Sequence, residues 1–278
     1  MKNNPTEYIL GQWPRVASSF LNNIGHPLRP INEDIELYRS FLRAEEKQRQ
    51  KALVLGVTPE LYALTMGSFS ETFAIDRTRE MIEFIWPGES DHVFNRDWLE
   101  LGTLGLKFDA ILCDGGLHLL RYPHQQAALA SAIDSSLLPG GRFITRLFTP
   151  PVEPEDFETV ISALKRGEIP SMNHLKVRLA NALQENAHSG VRLADVWSEL
   201  DQGLEERETF FKGLGWNSGQ VNVVDLYRNS DARYSFVAVE QVISLFSKYA
   251  PNLKLVGTEF ASYFMANQFP LVCFEKPS

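Results

Sequence analysis

The chain has 278 residues, with 27 Lys and Arg against 35 Asp and Glu, so its formal net charge is −8; that acidic balance argues against a non-specific nucleic-acid binder, whose footprint is a basic patch. Its 44% hydrophobic and 22% charged residues are ordinary for a soluble globular protein, and its two distant cysteines, Cys113 and Cys273, exclude a disulfide framework and point to a reducing compartment. No apolar run approaches the ~18 residues that span a bilayer, and Met1-Lys2-Asn3-Asn4-Pro5 leads into no apolar signal core, so the expectation is a soluble, cytoplasmic protein.

Residues 1–50 read as a polar helical segment. Ile35, Leu37, Tyr38, Phe41 and Leu42 form an apolar stripe, and the mixed-charge run Arg43 to Gln50 reads as a solvated helix face. At Lys51 the character changes. Ala52-Leu53-Val54-Leu55-Gly56 is a short continuous apolar run, the pattern of a strand buried on both faces. Thr58-Pro59-Glu60 then opens a helix, with Thr at the cap and Pro at the first helical position.

Thr72-Phe73-Ala74-Ile75-Asp76 is a second strand, followed by a helix from Arg77. His92-Val93-Phe94 is a weak third strand, and Phe108-Asp109-Ala110-Ile111-Leu112-Cys113 a fourth. Residues 122–137 form a helix stopped by Leu138-Pro139-Gly140-Gly141, before a fifth strand from Arg142 to Phe148. Strands alternating with helices imply right-handed crossovers and a parallel sheet. The rhythm stops at Thr149, and a mostly helical, aromatic-rich stretch follows to residue 236. Tyr234 to Tyr249 reads as one more crossover helix, and Leu253–Val256 and Leu271–Glu275 as a closing antiparallel pair. The predicted organisation is an N-terminal helical segment (1–50), an α/β core (51–148 and 237–278) and a helical cap insertion (149–236).

Ligands of an open parallel sheet bind beyond the carboxyl ends of its strands. The residues there are Gly56, Val57 and Thr58 after the first strand, Asp76 with Arg77 after the second, Asp97 and Trp98 after the third, and Asp114 and Gly115 after the fourth, with His118 close behind. Gly56 lets a ligand approach the backbone, and Asp76 can accept two hydrogen bonds from vicinal ribose hydroxyls. Asp97 can accept from an exocyclic amine, and Trp98 offers a flat apolar face. Asp76 and Asp97 can equally be caps of the helices after them, and Trp98 a core residue. Cys113 reads as a small buried hydrophobe, and no histidine pattern suggests a metal site.

Five pieces carry a resemblance to a known family: Leu53 to Glu60, Phe73 to Asp76, Asn95 to Trp98, Phe108 to Gly115, and Leu137-Leu138-Pro139-Gly140-Gly141-Arg142-Phe143. Their order resembles the class I methyltransferases that use S-adenosylmethionine, over about residues 50–148 and 237–276. The resemblance implies a Rossmann-like, mostly parallel sheet of order 3-2-1-4-5-7-6 with an antiparallel last strand. It implies S-adenosylmethionine as cofactor, Asp76 at the ribose, Arg77 beside it among the cofactor-binding residues, and Asp97 and the Trp98 N–H or ring at the adenine. Gly56, Val57 and Thr58 would line the methionine side, with Asp114 and Gly115 near the sulfonium and His118 beside the acceptor as an orienting group or base. The first piece departs from the family: Val54 stands in place of an acid, and Thr58 and Glu60 in place of the later glycines, so Glu60 faces away or meets the ammonium group. Gly-Val-Thr-Pro-Glu, with Asp76-Arg77 and Asp114-Gly115-Gly116-Leu117-His118, is similar to a bacterial subgroup of that family.

The nearest rival enzyme, a nicotinamide-binding domain, wants glycine where this chain has Thr58 and Leu61. A rival of another class is a degenerate methyltransferase fold that binds or scaffolds without catalysis. The expected partner is a small-molecule acceptor, with no nucleic acid or membrane, and the sequence leaves the oligomeric state open.

Overall fold

The structure, a computed structural model, describes residues 13–17, 20–42 and 50–278. Its frame is a seven-stranded sheet. The strands are β1 (Lys51–Leu55), β2 (Glu71–Asp76), β3 (Val93–Asn95), β4 (Phe108–Asp114), β5 (Leu137–Arg146), β6 (Lys254–Glu259) and β7 (Leu271–Glu275). Their spatial order is β3-β2-β1-β4-β5-β7-β6, as the resemblance implies. The first five strands run parallel, and β7 is antiparallel to both β5 and β6.

β1 is central because nothing in it after Lys51 needs water. Ala52, Leu53, Val54 and Leu55 are all essentially unexposed, which is what a continuous apolar run satisfies. Alternate residues feed two cores. On one face Leu53, Phe73, Ile111, Phe143 and Phe274 pack against helices His124–Ser136 and Val239–Tyr249. There Phe246 stacks between Phe143 and Phe274, at 5.5 and 4.6 Å between ring centroids. On the other face Val54, Ala74, Leu112, Ile144 and Cys273 meet Tyr38 and Phe41 of helix Asn32–Phe41, Leu61 and Leu64 of helix Pro59–Met66, and Met81 and Ile85 of helix Arg79–Ile85.

Two expectations are corrected. β5 begins at Leu137, because Pro139 to Gly141 form an irregularity within the strand and not a turn before it; the pairing with β4 slips between Phe108 and Ala110. The last crossover helix starts at Val239. Tyr234 instead belongs to a two-residue strand, Arg233–Tyr234, that pairs with Val191–Arg192 outside the main sheet. The charged run from Arg43 lies outside the described residues up to Arg49. Between β5 and that crossover helix the remaining elements are mostly helices joined by loops, with Phe157–Lys165, Met172–Leu183, Leu193–Gly203, Arg207–Gly213 and Ser218–Asn222 around a third core that includes Leu164, Leu175, Val196 and Phe211. Trp197, Phe210 and Trp216 pack against this core. No helix among the described residues is long and apolar enough to cross a membrane.

Candidate functional site

The parallel register brings the strand ends level. Leu55 pairs with Ile75, so Gly56 lies beside Asp76; Asp76 pairs with Asn95, and Asp114 with Arg146. Beyond these ends lies a cavity of about 1170 Å³ with its solvent-open mouth included. Every site residue expected from the sequence lines it: Gly56, Val57, Thr58, Asp76, Arg77, Asp97, Trp98, Asp114, Gly115 and His118.

At one end Gly56 has φ +92°, a conformation that glycine adopts without strain. A Cβ there would stand 3.7 Å from Cζ2 of Trp98 and 3.9 Å from Oδ2 of Asp76, so glycine keeps open the space between ring and carboxylate. The other Asp76 oxygen accepts the Thr78 backbone N–H at 2.7 Å, which fixes the carboxylate at the turn out of β2. Thr78, not Asp76, is the cap residue of helix Arg79–Ile85. Burial pushes Asp76 up to about 6, against the opposing pull of the Thr78 hydrogen bonds and Arg77. Asp97 does cap a helix, the short 3-10 turn Trp98–Leu104: Oδ1 accepts the Leu99 N–H at 2.9 Å, while Oδ2 receives Arg77 at 3.3 Å. The Trp98 N–H is committed to the Ile75 carbonyl at 2.8 Å, so only its ring can meet a ligand.

In the middle of the cavity, Val57 is buried and Thr58 precedes helix Pro59–Met66 without capping it through its hydroxyl. Glu60 is not on the cavity lining; it pairs with Arg29, which is, and Glu60 Oε2 and Arg29 Nε are buried without a hydrogen-bond partner. Asp114 is held by Arg146 in a two-pronged pair, Nε–Oδ1 2.6 Å and Nη2–Oδ2 2.9 Å. Arg146 is itself fully buried. It also donates to the Pro27 carbonyl at 2.9 Å and reaches Asp34 and the Tyr263 hydroxyl at 3.4 and 3.3 Å. Gly115, at φ +58°, abuts Phe148; a Cβ would lie 2.8 Å from that ring.

At the far end the walls are rings. His118 stacks on Phe148 at 4.6 Å and on Phe236 at 5.4 Å, and meets Tyr234 edge-on at 4.7 Å. Its Nδ1 is buried without a hydrogen-bond partner. Burial, helped by the Arg146 charge, pushes His118 down to about 3, so its imidazole is neutral at pH 7. Beyond it stand Tyr227 and Lys176.

Sequence reasoning did not foresee Arg29, Arg146 or Lys176. It also placed His92 in no cluster. Glu89, Asp91 and His92 bring three ligand atoms within 4.8 Å of one another, at a surface position that does not line the cavity. Cys113 and Cys273 are buried thiols, and burial pushes Cys113 up to about 12.

The chain matches no protein-family model and no curated protein sequence. It is similar in structure to a protein from Rhodobacter sphaeroides provisionally described as a Zn-dependent alcohol dehydrogenase, with 14% identity, 98% of each chain covered and TM-score 0.61. It is similar to the N-methyltransferase NodS from Bradyrhizobium japonicum WM9 in complex with S-adenosyl-L-homocysteine, with 13% identity, 96% of this chain and 100% of that chain covered and TM-score 0.52. It also resembles a chain of the Haloferax volcanii complex between the Trm112 methyltransferase activator and a provisionally described methyltransferase, with 10% identity, 98% of each chain covered and TM-score 0.53. Strand order and these likenesses together define the class I methyltransferase fold. At such identities the likeness is one of fold.

Proposed function

We propose that the protein transfers the methyl group of S-adenosylmethionine to a small-molecule acceptor. The observation that carries this reading is the space over Gly56, open between the Asp76 carboxylate and the Trp98 ring. An acceptor-only carboxylate suits the two hydroxyls of a ribose, and a flat apolar ring suits an adenine.

When bound, the cofactor supplies a methyl group on a sulfonium, and the protein's share is positioning and exclusion of water. Asp76 holds the ribose. Asp97, steadied by Arg77, receives the adenine amine on the oxygen not used by Leu99, and the Trp98 ring covers the base. Gly56, Val57 and Thr58 line the methionine side, with Asp114 and Gly115 near the sulfonium. Asp114 acts there as a carboxylate already balanced by Arg146. His118 orients the acceptor as a neutral hydrogen-bonding group; a group pushed to about 3 is a weak base at pH 7. Residues 149–236 serve as a cap that closes the acceptor side, through Lys176, Val223, Tyr227 and Tyr234 on the cavity wall. The acidic chain and the cavity beyond the strand ends favour a small acceptor over a nucleic acid, in a soluble, cytoplasmic setting.

Calorimetric titration with S-adenosylhomocysteine tests the reading, followed by assay for its release from S-adenosylmethionine with candidate acceptors. No binding ends the proposal. Binding without turnover on any acceptor favours a ligand-binding or scaffold role for a degenerate methyltransferase fold. The titration should also depend on pH in one direction. Ribose hydroxyls favour the ionised form of Asp76, whose carboxyl in the free protein sits at about 6. Affinity is therefore level above pH 7 and falls below pH 6, approaching tenfold per unit. Asp76→Asn should flatten the profile between pH 5 and 8, and a flat profile in the unmodified protein would remove Asp76 from the ribose.

A further inference from the structure

We infer that the acceptor is an aromatic carboxylic acid, seated between the rings at the far end of the cavity with its carboxylate on Lys176. This rests on the methyl-transfer reading and adds the chemical class of the acceptor to it.

Lys176 lies on helix Met172–Leu183 and is only 4% exposed, yet it lines the cavity. Its ammonium stands 4.9 Å from the centroid of the Tyr227 ring. Among the described residues it makes no hydrogen bond or ion pair. Burying a cation without a counter-charge is costly, and the cost persists only where something offsets it. The ring of Tyr227 offsets a part. Burial alone pushes Lys176 down to about 7, so the empty site holds the proton poorly. An anion delivered by a ligand supplies the missing partner.

The other cations on the cavity wall are already matched. Arg29 pairs with Glu60, and Arg77 with Asp97. The carboxylates of Asp76 and Asp97 belong to the opposite end, beside Gly56 and Trp98. Contacts between rings lead from Lys176 to the middle of the cavity: Tyr227 lies 6.4 Å from Tyr234, Tyr234 4.7 Å from His118, and His118 4.6 Å from Phe148, which abuts Gly115. Lys176 is therefore separated from the adenosine end by the position assigned to the reacting methyl. The walls between are faces and edges of Phe148, His118, Tyr234 and Tyr227, all buried. Such walls select a flat apolar body, and a single unmatched ammonium at their end selects an acid over an amide or amine.

The test is a set of aromatic carboxylic acids, each paired with its primary amide, titrated into the protein saturated with S-adenosylhomocysteine. Acids are expected to bind at least tenfold more tightly than their amides. Lys176→Met, close in length and free of charge, should erase that preference and leave affinity for S-adenosylhomocysteine unchanged. Lys176→Arg should keep part of the preference, and thermal melts of both variants report whether they fold. The inference is overturned if acids and amides bind alike, if no acid binds, or if Lys176→Met retains the preference. It is also overturned if Lys176→Met loses S-adenosylhomocysteine, since the lysine would then serve the cofactor. Failure of the unmodified protein to bind S-adenosylhomocysteine at all is a different result, and falls on the methyl-transfer reading itself.

Discussion

Asp76→Ala is expected to weaken binding of S-adenosylhomocysteine by about ten- to a hundredfold while the protein still folds. The carboxylate ends β2 at the cavity, with Oδ2 facing the gap above Gly56 and Oδ1 on the Thr78 N–H. Charge-assisted hydrogen bonds from two hydroxyls are worth roughly 1.5–3 kcal/mol each in a site that excludes water, and both vanish in the alanine variant. The turn into helix Arg79–Ile85 also loses its side-chain support. That loss is about 1 kcal/mol, enough to lower the melting temperature by roughly 2 °C in a chain of this size. Asp76→Asn separates the two roles. Its amide oxygen still accepts from Thr78, so stability should recover, while the lost charge keeps ligand affinity low. Unchanged affinity in both variants would make Asp76 a turn residue and nothing more.

Arg146→Ala is expected to destabilise the protein by about 3–5 kcal/mol, read from urea denaturation of the variant and the unmodified protein at the same pH. The guanidinium is unexposed and is the cation between two buried carboxylates, Asp114 at 2.6 Å and Asp34 at 3.4 Å. Without it, each acid must stay ionised with no partner or take up a proton. The first costs a desolvated charge and the second a shift in protonation on folding. Arg146 also binds the Pro27 carbonyl and approaches Tyr263, so one side chain ties the N-terminal segment to the sheet and to the loop before β7. Hydrogen exchange should accordingly rise first in residues 26–41. A loss under 1 kcal/mol would mean that water already reaches the pair and screens it.

The outline of this arrangement could be read from the sequence because its signals are local. Ala52 to Leu55 and Phe108 to Cys113 are apolar with little interruption, which only a doubly covered strand tolerates. Counting outward from those strand ends reached each of the expected cavity residues, since topology places strand ends together whatever the side chains do. What stayed hidden depends on neighbours distant in sequence. Arg146 comes after Arg142-Phe143-Ile144-Thr145 and reads as a polar strand end; its burial is made by Asp34, Pro27 and Tyr263. Lys176 stands between Leu175 and Val177 in a helix that sequence periodicity would turn partly to solvent, yet residues 172–180 are buried all round. The Trp98 N–H was available to a ligand until the fold placed the Ile75 carbonyl 2.8 Å away.

The position of β7 carries a consequence for biosynthesis. β7 pairs with β5 on one side and β6 on the other, so β5 has an unpaired edge until residues 271–275 have been made. More than a hundred residues separate the two strands. At roughly 5–20 residues per second a ribosome needs on the order of ten seconds to cover that distance. Through that interval the nascent chain presents Phe143 and Ile144, both wholly buried in the finished molecule, along an open strand edge. A slower decoding rate between codons 150 and 270 should therefore raise the demand for chaperones that shield such edges.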